Sequence, residues 1–179
     1  MNIGFERIQE DFLEFNLFHI SHSPTIRRQV LLTQIVMGVL IFVGSTSGIF
    51  LSLGYLSLSI YIVVAIVSIL ATFAYPYIYR RSAISQAQKM LKEGSNKSLL
   101  GRHEISLSSD GIIYKTFAGE SKLNWQSVEK VLQNDKYVFI YIGAINALVV
   151  PKNTFASSGQ QKEFLDYVNS NVGQVAKPS

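Results

Sequence analysis

From Gln29 to Tyr79 the chain runs for about fifty residues without Asp, Glu, Lys or Arg, where one membrane span needs roughly twenty apolar residues. Arg27-Arg28 and Arg80-Arg81 bracket this run. It predicts a two-helix transmembrane hairpin over residues 29–79, with spans at about 30–51 and 58–79 and a turn over Ser52–Ser57 around Gly54. Lys and Arg beside span ends favour the cytoplasmic side, so both termini are expected in the cytoplasm. Tyr55 and Tyr61 then fall at the outer interface, and Tyr75, Tyr77 and Tyr79 at the inner one. Pro76 cannot donate to the Thr72 carbonyl, which predicts a kink or a frayed last turn.

Residues 1–28 read as a strand, Ile3 to Ile8, and an amphipathic helix, Gln9 to Ser21. Phe12, Leu13, Leu17, Phe18 and Ile20 form the helix's apolar face, opposite Glu10, Glu14 and Ser21. That face suits the membrane surface or the C-terminal domain about equally. After the second span, Arg80 to Glu93 is expected to continue as helix, with Gly94 as C-cap. Residues 80–101 form a basic stem.

Residues 102–172 change to strand periodicity, and 173–179 are a tail. Strands are expected at Glu104–Ser108, Ile112–Phe117, Ser121–Trp125, Val128–Gln133, Tyr137–Ile142 and Ala147–Val150. Asp110-Gly111 marks the first hairpin. Pro151 should end an edge strand. Ser157 with Gln160 predicts a capped C-terminal helix whose apolar face is Phe164, Leu165 and Val168. Trp125 is expected in the core, together with Val131, Phe139 and Tyr141. The fold class is therefore membrane α+β: the helical hairpin plus a small antiparallel β domain, pleckstrin-homology-like in its order of elements, which should fold alone from about Arg102 to Val172.

Composition narrows the chemistry. The 179 residues carry a net charge of +4, with pI near 9.3. Cations cluster beside the apolar run, so anionic lipid headgroups are favoured over nucleic acid as partner. Lys89, Lys92 and Lys97 are candidate lipid contacts. The absence of Cys removes disulfides and thiolate chemistry. Small residues in the spans, Gly38, Gly44, Gly48, Ala65 and Ala71, allow close helix approach. They serve either a homodimer or, preferably, the hairpin itself, with Gly44 opposite Ala65 and Gly38 opposite Ala71. No Asp, Glu, Lys, Arg or His lies within the spans, which argues against a self-sufficient transporter or channel. His19 and His22 have a permissible metal spacing without a third ligand, and His103 is isolated; all three are expected at surfaces or interfaces. Lys152 is read as a solvated lysine. No cofactor loop, metal cluster or nucleophile beside a base is recognisable, and no enzyme is expected. Asn96-Lys97-Ser98 is a glycosylation sequon that the expected topology makes irrelevant.

The runs Trp125-Gln126-Ser127-Val128-Glu129-Lys130-Val131, Tyr137-Val138-Phe139-Ile140-Tyr141-Ile142, Val150-Pro151-Lys152 with Phe155, and Glu163-Phe164-Leu165 resemble the C-terminal domain of the YcxB-like family. Ser109-Asp110-Gly111-Ile112 fits its opening hairpin, and the strand, hairpin and domain layout extends the resemblance over most of the chain. The resemblance implies a bacterial inner-membrane protein and supplies no catalytic residues. Taken together, these readings lead to a membrane-anchored interaction module that presents a cytoplasmic β domain for lipid or protein binding. The alternative is an accessory subunit docking on a larger membrane protein.

Overall fold

A computed structural model describes residues 1–55, 57–93 and 99–175. Gly94, Lys97 and the sequon at residues 96–98 lie outside the described residues, as does Leu56 in the expected turn. The chain divides into two units, one of Met1–Phe15 with Lys89–Ser179 and the other of Asn16–Gln88.

The second unit contains most of two long helices. Helix α2, Pro24–Leu53, starts on a Ser23 cap with Pro24 in its first turn. It stops at Gly54, whose φ of 72° is the left-handed geometry that glycine adopts without a Cβ penalty. Helix α3 spans Leu58–Lys92 and carries Pro76 inside it. The expected frayed turn at Pro76 is therefore absent: the helix continues for four more turns, as the expected stem helix required. At 30 and 35 residues both helices are long and apolar enough to cross a membrane. No residue of α2 is buried.

The first unit is built from strands that alternate. Strand β1, Asn2–Arg7, pairs antiparallel with β2, Gly101–Ser108, and β3, Gly111–Thr116, and β4, Gly119–Leu123, follow in order. The tight β2–β3 turn needs Gly111, where an added Cβ would collide with the Leu123 carbonyl. A second sheet has β5, Lys130–Gln133, then β6, Tyr137–Tyr141, then β7, Ala147–Pro151. Pro151 ends β7 at the sheet edge, where its missing N–H costs no ladder bond. Trp125 does not extend β4. It opens a short 3₁₀ turn capped by Asn124.

The expected boundary at Arg102 changes, because β1 contributes Ile3 and Phe5 to the same core as Ile105, Leu107 and Ile112. Trp125 is buried there, donating from Nε1 to the Ser108 carbonyl at 3.0 Å. Helix α4, Ser158–Val175, closes the core with Phe164 and Val168. Its start is a capping box: Gln160 N donates to Ser157 Oγ, and Ala156 N to Gln160 Oε1.

Strand β6 is buried along its whole length. Val138 and Ile140 face the core, while Phe139 and Tyr141, expected in that core, take the alternate face. There Phe15 of α1, Gln9–His22, packs on both rings at 6.0 Å. The N-terminal part of α1 thus covers the sheet.

Candidate functional site

Two concave regions carry polar side chains on apolar walls. The first lies in the helical unit, a groove of about 760 Å³ lined by Arg27, Arg28 and Arg80 with Gln34, Pro76 and Tyr79. The charge-free stretch ends at these arginines, so the groove combines cations with exposed apolar helix surface. Such a combination suits a phosphate-bearing amphiphile: guanidinium forks pair with phosphate oxygens, and the apolar walls take hydrocarbon.

The second lies in the β unit, a cavity of about 280 Å³ whose wall includes Arg7, Phe15, Tyr114, Ser121, Asn146 and Leu148. A polar cluster adjoins it. His103 is 1% exposed, at an inward position of β2 opposite Phe5, and its Nδ1 hydrogen-bonds the Tyr114 hydroxyl. Burial, reinforced by the nearby Arg7 charge, lowers the His103 pKa to about 4, so the ring is neutral near pH 7. Burial raises the Tyr114 pKa, so its phenol is protonated there too. Asp11, also buried, accepts from the Tyr137 hydroxyl and from Ile8 N, both at 2.8 Å. Burial and the Asp11 contact push the Tyr137 pKa up.

His103 is thus neither isolated nor at a surface. His22 stacks on Phe18 at 3.9 Å with its Nδ1 against the Phe18 carbonyl. Lys89 and Lys92 are exposed on the last turn of α3. A side chain at Gly38 would strike the Thr72 hydroxyl, so this glycine does pack within the hairpin, one residue from the expected Ala71. Gly44 differs from expectation. Neither it nor Gly48 would bring a Cβ within 4 Å of other atoms, and both are exposed, so Gly44 does not close on Ala65. Two loop tips of the β unit present apolar side chains: Phe117, between β3 and β4, is 77% exposed, and Ile145, between β6 and β7, is 71% exposed.

Residues 107–168 match the family model described as YcxB-like protein, in agreement with the resemblance read from Trp125, Pro151 and Phe164. The match covers about a third of the chain, from the end of β2 to Val168 in α4. It is narrower than that resemblance, which reached into the hairpin and the N-terminal strand. No curated protein and no solved structure matches the chain.

Proposed function

We propose that this chain is a membrane-anchored, non-enzymatic interaction module. Helices α2 and α3 cross the bacterial inner membrane, and the β unit, with both termini, lies in the cytoplasm. The observation that carries this reading is the unburied apolar surface of α2 and α3. Leu40, Leu70 and Phe73 are 60%, 64% and 74% exposed, and a lipid phase removes that surface from water. The pairing of β1 with β2 adds a topological constraint, because residues before and after the two helices share one sheet. One crossing would place these strands on opposite sides; two crossings keep them together. The arginine pairs orient the hairpin with its ends inward.

Within this reading, two antiparallel sheets closed by a helix form a pleckstrin-homology-like binding domain at the inner leaflet. Anionic headgroups are its first partner, supported by the groove at Arg27, Arg28 and Arg80 and by the exposed Lys89 and Lys92. Phe117 and Ile145 offer apolar contacts to lipid or protein.

A second reading, an accessory subunit of a larger membrane complex, is favoured by the open face at Gly44 and Gly48, where another helix could approach closely.

Reporter fusions before Met1 and after Ser179, with an accessibility tag at Gly54, test the topology. Both fusions should report cytoplasmic and the tag should react from outside. An externally accessible C-terminus overturns the model of two inward-facing ends. Release of the intact chain from membranes by alkaline carbonate overturns the anchoring itself.

A further inference from the structure

Arg7 occupies an inward position of β1, in phase with Ile3 and Phe5, and is 8% exposed. Its Nε is buried with no hydrogen-bond partner. Among the described residues no carboxylate forms an ion pair with its guanidinium. Asp11 is buried in the same region and its charge also acts on His103, but it makes no ion pair with Arg7, and its oxygens accept from Tyr137 and Ile8. The Arg7 guanidinium interacts with the Tyr114 hydroxyl, but Tyr114 and His103 are held in their neutral forms, so neither supplies a countercharge. A buried cation is costly to leave unmatched, and an anion that completes its hydrogen bonds relieves the cost.

The cavity at Arg7 has room for such an anion. Polar side chains, Tyr114, Ser121 and Asn146, share its wall with Phe15 and Leu148. Its volume of about 280 Å³ lies near the small end of ligand pockets. We propose that this cavity binds a small organic anion, a carboxylate or phosphate monoester on a compact apolar body, with the Arg7 guanidinium as its anchor. The flat fork of Arg7 pairs with two oxygens of the anion. The apolar body lies against Phe15 and Leu148.

The test is calorimetric titration of the full chain in phosphatidylcholine nanodiscs with hexanoate, hexyl phosphate and hexanol. One or both anions should bind saturably at one site, and hexanol should not. Arg7→Met keeps the volume and removes the charge. It should weaken anion binding about 10- to 100-fold, the usual cost of losing a charged hydrogen bond, without lowering the melting temperature of the unliganded chain. Ala147→Phe, which fills the cavity from β7 and leaves Arg7 in place, should also abolish binding, and it decides the matter if Arg7→Met fails to fold. Binding of hexanol equal to that of hexanoate overturns the proposal. So does silence from both anions, or wild-type affinity in either folded variant. Repeating the titration in phosphatidylglycerol nanodiscs separates two sources of the anion: unchanged affinity assigns a soluble ligand, and Arg7-dependent competition assigns a lipid headgroup.

Discussion

A neutral imidazole occupies a position in β2 where the neighbours in phase are Ile105 and Leu107. This placement makes folding sensitive to mild acid. The folded pKa of His103, about 4, lies below its ordinary value of 6.5. Between those values the unfolded chain binds more protons, so stability rises with pH across the window and is lost as pH falls through it. The full difference is worth about 3 kcal/mol. His103→Asn should therefore flatten the pH dependence of thermal unfolding between pH 6.5 and 4 relative to wild type. Parallel curves for the two proteins would assign the slope to other groups. The alternation that places His103 inward was present in Arg102 to Ser108, as was the inward phase of Arg7 after Ile3 and Phe5. Charge and polarity masked both, because a His or Arg is read as solvated until a pairing register puts it beside Phe5 and Tyr114. That register depends on contacts across about a hundred residues of chain, which no local period contains. Trp125 was recognisable for the opposite reason: a large ring among strand residues has few places to go except a core.

Turns and caps carry strong local chemistry, and the elements they bound fall within a few residues of expectation. Asp110-Gly111, Ser157 with Gln160, and Gly54 each mark a reversal or helix end through the backbone geometry or hydrogen bond that the residue supplies. Helix facing is less local. The small residues of α2 all permit close approach, yet only Gly38 meets the opposing helix, at Thr72, while Gly44 and Gly48 turn outward. Helix rotation over the intervening residues sets which glycine faces inward, and equal spacing from the turn does not capture it. The Cys-free chain makes this directly testable. Gly38→Cys with Thr72→Cys should form an intrachain disulfide under mild oxidation, read as a loss of two hydrogens by mass spectrometry. Gly44→Cys with Ala65→Cys should not. Efficient crosslinking of the second pair and failure of the first would reverse the assigned facing of α2. Gly44→Cys alone, if it yields a crosslinked dimer in membranes, identifies a second copy as the occupant of the open face.

At the level of the whole molecule, the two apolar helices are an insertion into a β unit whose sheet needs both ends of the insertion. Ile3 and Phe5 enter the core from β1, and Asp11 and Phe15 cover β6 from α1. A fragment from Arg102 to Val172 keeps the turn signals and most of α4 but loses those four side chains. Burying Ile3 and Phe5 alone is worth roughly 1.5–3 kcal/mol each, against a total of about 5–15 kcal/mol for a typical domain. Removal of β1 also leaves the β2 edge unpaired, exposing the donors and acceptors that now bond from Asn2 to Arg7. The excised fragment should therefore be marginal, with a broad, low-temperature transition or aggregation on concentration. A synthetic peptide of residues 1–15 added in trans should restore a cooperative transition and raise the melting temperature with peptide concentration, as binding linkage requires. Replacing Phe5 with Ala in the peptide should remove most of the rescue. A fragment that melts cooperatively at the same temperature with and without the peptide would show that the first strand is an accessory to this fold, and it would weaken the topological constraint that β1 imposes on the hairpin.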